Sequence, residues 1–559
     1  MNKLLILSLL CAGIPASYIR AADSPGNPAN GPNPSASAVT SSEELQRLRD
    51  QIAKQADQIK KLQQAVDNQQ KLIEQTLQNS AVVNTQPVAG SEPVKLVPVV
   101  SAVHSQNAGP SQHETTNVSP LSIHIGNTEL TPLGFMDMTY FTRSTNVGSG
   151  IGTNFAGAPN NTTPSGRLSE TNFSAQNSRV GFRVDSTVLG AKVLGYFETD
   201  FLFNNDAGSY QITSNSAALR LRNYFVDVEK NGFEVMGGQD WSLLTPNRKG
   251  LSPLPSDIFY TQNMDTNYQL GLVWTRAPQF RFIAHPNDNV AFGVALENPQ
   301  QYIGGGSGAG SVTLPSALNS ALAPQFQAGG SATAVPNFFP DLIFKVAFDG
   351  KPADRALHVE AAGLVRGFKD YVSITKAPAI PGSHTAVGYG GELNSNLELF
   401  KGFRFIENAY FSDGGGRYIF GQAPDVIVRP DGSISPLHSY STVDGFEAQV
   451  TKNSLLGLYY GGAYIARNVT FDPTASGSTL KKPVYAGYGF QGSAYTNNRY
   501  IQELTFDWVQ TLWKNPSYGS LSLINQYSYL WREPWYVAST GPKQAHSNLI
   551  YIDLRYTLP

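Results

Sequence analysis

The sequence predicts an all-β protein, a 16-stranded antiparallel transmembrane β-barrel with an N-terminal α-helical coiled coil. Three observations carry this: an aromatic, charge-poor composition, a two-residue side-chain period from Pro132 to the end, and connections that alternate short and long. Charged residues make up 15% of the 559, against a usual quarter or so, while there are 26 Tyr, 29 Phe and 52 Gly. No internal run reaches the ~18 apolar residues that a membrane helix needs. A formal net charge of −2 excludes a strongly basic nucleic-acid binder.

Residues 1–21 read as a secretory signal: Lys3, then an apolar run from Leu4 to about Ile14, then small residues up to Ala22. Cys11 is the sole cysteine, so the chain left after cleavage holds no disulfide. Residues 22–40, rich in Pro, Gly, Asn and Ser, form a flexible linker. Over 41–79, SSEELQRLRDQIAKQADQIKKLQQAVDNQQKLIEQTLQN places Leu45, Ile52, Ile59, Val66 and Ile73 at heptad position a. Leu48 and Leu62 fall at d with Gln55, Gln69 and Thr76, so the seam is apolar at a and weakened at d. Ser41 and Glu44 are spaced as a capping box that starts the helix. Residues 80–128 lose the helical period and collect Pro, Val, Ser and Asn, a spacer before the barrel at 129–559.

From there each strand has one apolar and one polar face. Met136, Met138 and Tyr140 alternate with Asp137 and Thr139; Val180, Phe182 and Val184 with Arg179, Arg183 and Asp185. Leu504, Phe506 and Trp508 alternate with Glu503, Thr505 and Asp507. The last stretch, NLIYIDLRYTLP, sets Ile550, Ile552, Leu554 and Tyr556 against Tyr551, Asp553 and Arg555. A terminal strand this regular closes the cylinder on the first, because lipid tolerates no unpaired edge. Parity fails at one place. Leu219 and Leu221 oppose Arg220 and Arg222, yet Tyr224, Val226 and Val228 share the arginines' parity, so a bulge near Asn223 is expected.

Seven short turns alternate with eight long loops, giving sixteen strands, and an even count returns both barrel ends to one side of the membrane. Inward side chains balance at ten basic and ten acidic, so any charge preference is local. Arg179, Arg183, Arg220 and Arg222 form the compact basic set on the inner wall, pairable with Asp185, Glu198 and Asp200. No catalytic or metal motif emerges: the eight His are scattered, and GGGSGAG (304–310) lacks the Lys-Ser/Thr of a phosphate loop. No cofactor is expected.

LRLRNY (219–224), GGQDWS (237–242) and RAPQFR (276–281) resemble trimeric bacterial porins of the DcaP-like group, and SRVGF (178–182) resembles the second strand of general porins. The resemblance implies a passive diffusion channel for small hydrophilic solutes in the outer membrane of a Gram-negative-type bacterium, a homotrimer with its coiled coil in the periplasm. It places the third long loop in the lumen, with Arg248, Lys249, Asp257 and Asp265 facing the four arginines across a constriction that favours carboxylate or phosphate solutes. Leu251, Leu254, Ile258 and Phe259 would pin that loop to the wall. Porins commonly end in Phe for recognition by the barrel assembly machinery; here Tyr556 would substitute before Leu558-Pro559. The alternative is a structural barrel, narrowed shut, whose helix tethers the membrane to the cell wall.

Overall fold

A computed structural model describes Lys60, Gln64 and residues 119–559, apart from 204–214, 216, 259–260, 306–309 and 329–334. The chain divides into two units, Met1–Val99 and Val100–Pro559. In the first, Lys60 and Gln64 are helical and exposed. The signal, the linker and the heptad positions Leu45, Leu48, Ile52, Ile59, Leu62, Val66 and Ile73 lie outside the described residues, as does Phe259.

The second unit is built on one closed antiparallel sheet. Its crossing strands are β1 (Thr128–Arg143), β2 (Arg179–Val188), β3 (Ala191–Phe203), β4 (Ala218–Lys230), β5 (Phe233–Trp241), β6 (Arg276–Asn287), β7 (Val290–Glu297) and β8 (Asp341–Gly350). They continue as β9 (Leu357–Val372), β10 (Gly382–Phe400), β11 (Phe403–Asp413), β12 (His438–Thr451), β13 (Ser454–Ile465), β14 (Asn498–Asn515), β15 (Gly519–Pro534) and β16 (Ala545–Thr557). The sheet has eighteen strands; two are short additions, Ile123–Ile125 and Glu170–Ser174, which leaves sixteen that cross. Each pairs with its neighbour in sequence, and β16 pairs with β1 from Phe135↔Thr557 to Arg143↔Leu549. The expected closure is therefore present.

Local chemistry explains the hairpins. The β4–β5 turn is Asn231-Gly232, both at positive φ (52° and 78°), the geometry whose twist matches that of the strands it joins. At Gly134 φ is +143° and an added Cβ would lie 2.3 Å from the Arg179 carbonyl oxygen, so this kink in β1 admits only glycine. Along β1 and β16, odd-numbered residues from Phe135 to Arg143 and from Ala545 to Arg555 are buried, while Met136, Met138, Ile550, Ile552 and Leu554 are exposed on the outside. The expected bulge is found in β4. Glu198 pairs with Asn223 and Thr199 with Leu221, so Arg222 is the extra residue, and both Arg222 and Asn223 turn inward.

The barrel is not hollow at its long-loop end. Phe368, Val372, Ile465, Ile501, Leu530, Leu549 and Tyr551 on the inner wall pack against Phe155, Ile303, Leu322, Phe326, Ile427 and Leu437 from the loops. An apolar core thus occupies this part of the interior. It is the physical outcome of long loops rich in Ile, Leu and Val, which cannot stay in water and fold inward instead.

A cationic cluster and an inward loop: the candidate functional site

Four arginines gather on the inner wall of β2–β6, and they are not the four expected. Arg222, at the bulge, sets Nε 2.6 Å from Glu198 Oε1 and Nη1 2.7 Å from Asp200 Oδ2. Arg220 binds the same Asp200 with Nη2 at 2.7 Å, and Arg179 lies 3.6 Å from Glu198. Arg276 joins them from the start of β6, its guanidinium 5.0 Å above the Trp241 ring. Arg183 stands apart, held by Asp185 through bonds of 2.6 Å. Parity on β6 points Arg276 outward with Pro278 and Phe280, so the sequence hides it; at the end of the ladder, opposite Trp241, its guanidinium lies over the buried Trp241 ring.

Tyr268, from the third long loop, accepts hydrogen bonds from Arg179 (3.3 Å) and Arg222 (3.2 Å). Burial would raise its hydroxyl pKa, but the charges on Arg179, Arg222 and Arg276 outweigh burial and draw it below the ordinary phenol value. The cluster contains four guanidiniums against two carboxylates. Arg220 keeps about a third of its side chain exposed, and Nη1 of Arg276 is buried without an acceptor among the described residues.

The third loop, residues 242–275, runs through the interior, pinned as expected by Leu251, Leu254 and Ile258, each 1–2% exposed. Its backbone N–H groups find acceptors on inward wall side chains: Leu243 on Glu297 (2.8 Å), Asn247 on Glu360 (3.2 Å), Leu270 on Glu503 (2.9 Å) and Val273 on Asn408 (3.0 Å). Arg248 reaches β12 and binds Glu447 twice, at 2.9 and 2.7 Å. Burial opposes the charge on Arg248, and Glu447 more than offsets it, so its pKa lies above the ordinary arginine value. Asp265 accepts from the Tyr551 hydroxyl (3.0 Å) and the Thr153 N–H (3.1 Å), near Arg143. Lys249 is exposed and Asp257 half-buried.

The structure therefore brings Arg179, Arg220 and Arg222 together, while Arg248 and Asp265 serve as tethers to other parts of the wall. Arg143, Arg281 and Arg276 are inward cations that the sequence count omitted. Lys192 shares the inward parity of Leu194 and Tyr196, yet it is largely exposed and paired with Glu229. The sixth long loop, 414–437, is held the same way: Arg417 binds Asp341 at 2.6 Å, and Arg366 bridges Asp341 (3.0 Å) and Asp425 (2.8 Å).

A closed sixteen-stranded barrel with an apolar exterior and with long loops folded onto a partly charged inner wall matches known channels in shape. The outer membrane channel DcaP of Acinetobacter baumannii superposes with a TM-score of 0.53 at 15% identity, over 77% of this chain and 97% of DcaP. The fold is the porin fold. The anion-selective porin of Comamonas acidovorans (TM-score 0.41, 13% identity, 77% of this chain and 99% of that one) and OmpF of Salmonella typhi (0.41, 9%, 78% and 100%) superpose more loosely. No protein-family model and no curated protein matches this sequence.

Proposed function

We propose that this protein is an outer-membrane porin, a passive diffusion channel for small hydrophilic solutes with a local preference for anions. It works as a homotrimer after removal of a signal peptide, with residues 41–79 forming a periplasmic coiled coil and Tyr556 serving the barrel assembly machinery as the terminal aromatic. The reading assigns no catalysis and no cofactor.

The arrangement that carries it is the third loop crossing a closed barrel beside the Arg179–Arg220–Arg222–Arg276 cluster. Two guanidiniums beyond the number of partner carboxylates, with Arg220 partly exposed at the edge of the cluster, form a landing point for a carboxylate or phosphate. Because apolar loop residues fill interior space against β9 and β13–β16, a hydrated path has its natural course along the arginine side. The same apolar filling favours the second reading, a barrel narrowed shut that anchors the membrane to the cell wall. Single-channel recording in planar bilayers separates the two: discrete conductance steps support the channel, and their absence from correctly folded protein supports the anchor.

A further inference from the structure

At the long-loop ends of β13, β14 and β15 stand two arginines without an anionic partner. Arg467 follows β13 and Arg499 is the second residue of β14. Both are exposed, and neither guanidinium is hydrogen-bonded or ion-paired among the described residues. Trp535 holds them together. Its Nε1 donates to the Ile465 carbonyl (2.9 Å) and its backbone N–H to the Asn497 carbonyl (2.9 Å), which fixes the indole on the rim. The Arg499 guanidinium lies 5.0 Å from the indole centroid and 5.0 Å from that of Tyr500, and the Arg467 guanidinium 5.6 Å from the indole. Two like charges gathered on one ring repel each other, and an anion between them turns that repulsion into binding. Glu533, opposite Tyr500, is held by the Gln544 amide instead. The histidines at the same ends of β10 and β12 differ, His384 lying 3.0 Å from Asp370 and His438 3.1 Å from Asp413.

Beneath this pair the outward wall is shaped and polar. Phe411, Tyr440, Tyr464 and Tyr500 stand in register across β11–β14, the aromatic girdle of the membrane boundary. The row below, Ala409, Thr442, Gly462 and Gln502, has small side chains at three of its four positions. Here the wall is hollowed into a concavity of about 710 Å³ that reaches up to Tyr500 and Glu533. Each two-residue step descends about 5 Å at ~3.4 Å per residue and ~45° tilt, so the hollow lies at headgroup depth. Ser395, Glu407, Asp444 and Tyr460 form the next row. Ser395 Oγ donates to Glu407 Oε2 (3.3 Å) and Thr442 Oγ1 to Asp444 Oδ2 (3.0 Å), leaving each carboxylate an oxygen to accept with. Tyr460 donates to Gln502 Oε1 (2.8 Å), which leaves the Gln502 amide hydrogens for another molecule. Hydrocarbon satisfies none of these groups; hydroxyls and amides do.

We infer that this face binds a phosphorylated glycolipid of the surrounding leaflet, its phosphate on Arg467 and Arg499 and its sugar in the hollow. Arginine forks match phosphate oxygens, and tyrosine rings at the membrane boundary present an apolar body and a polar tip to a sugar. Sugar hydroxyls and amides donate to the spare oxygens of Asp444 and Glu407 and accept from the Gln502 amide. The acyl chains then descend over the apolar row Phe405, Phe446, Leu458 and Phe506. Each part of the surface selects one part of the ligand. A free phosphate leaves the hollow empty, and a phospholipid without sugar leaves the acceptors unmet. The inference rests on the barrel lying in a membrane and is independent of whether it conducts.

The test uses the full-length protein, purified in neutral detergent and washed free of lipid, with heat-modifiable migration on a gel showing that each variant is folded. It is titrated with a fluorescently labelled, bisphosphorylated diglucosamine lipid. Wild type should bind saturably. Arg467→Gln with Arg499→Gln, and separately Ala409→Trp, which fills the hollow, should each bind at least tenfold more weakly. Arg167→Gln, which alters an exposed arginine of the first long loop, should bind as wild type does. The same lipid without its phosphates, and phosphatidylglycerol, which has no sugar, should each bind wild type at least tenfold more weakly. Inorganic phosphate should not displace the labelled lipid. Undiminished binding by the arginine variant overturns the inference. So does displacement by inorganic phosphate, the mark of a free-anion site, or equal affinity for phosphatidylglycerol, the mark of a general lipid surface. No binding of any of the lipids, the outcome for a face covered by protein, overturns it as well. Conductance recorded on the same preparations keeps the two readings apart: lipid binding without conductance overturns the channel alone, and conductance without lipid binding overturns the glycolipid site alone.

Discussion

Arg555 grips Asp137 across the seam where the last strand meets the first, Nε at 2.7 Å from Oδ1 and Nη2 at 2.6 Å from Oδ2, with both side chains at most 5% exposed. The two residues lie 418 positions apart, and their pairing completes the cylinder. Asp137→Ala strips buried Arg555 of its bidentate partner and leaves it Asp553 at 3.9 Å, while Arg555→Ala leaves buried Asp137 the neutral Asn177 amide at 2.7 Å, at a cost of about 3–5 kcal/mol. Either should lower the temperature at which the folded, fast-migrating form disappears on a gel. Asp137→Leu with Arg555→Met should recover most of that loss, since the pair is then removed together.

The arginine cluster should set ion preference. Each cation contributes about 1 kcal/mol or less to a passing anion in water-like surroundings, more where the passage narrows. Arg220→Ser with Arg276→Ser should shift the reversal potential in a salt gradient toward cations while leaving conductance measurable. At ~1 M salt, where screening acts within about 3 Å, the shift should largely vanish. Arg183→Ser should do little, because Asp185 already holds that side chain.

The third loop is latched to β12 by Arg248 and Glu447. Arg248→Ser removes the latch, although the loop keeps its anchors on Glu297, Glu360, Glu503 and Asn408. The barrel should stay folded, and single-channel recordings should show larger, noisier openings. Wild-type-like steps would mean that the loop's backbone bonds alone fix its position.

For the N-terminal segment, Ile52→Asp with Ile59→Asp puts two charges into the a positions of the proposed seam. The full-length oligomer should dissociate at a lower temperature, with barrel folding unaffected. Identical dissociation curves for mutant and wild type would remove the coiled coil from the account.

Much of the barrel is written locally. Whether a side chain faces in or out depends on its parity within one strand, so Asp137, Thr139, Ile552 and Leu554 were assignable from ten-residue windows. Even the bulge was legible, because Arg222 and Tyr224 cannot share a face when one seeks charge and the other lipid.

What the tertiary structure decided is which of those side chains meet. Glu360 and Glu503 counted as inward acids and Glu297 did not, yet each of the three accepts a loop N–H, a role that depends on where the third loop passes and leaves no trace in strand periodicity. Arg248 and Glu447 are 199 residues apart, and Arg276 meets its cluster from the end of a strand, over the Trp241 ring. Glu407 and Asp444, on β11 and β12, are 37 residues apart in sequence. The register of β11 against β12 sets them side by side, and that register is fixed by hydrogen bonds along the whole ladder, not by any residue near either carboxylate.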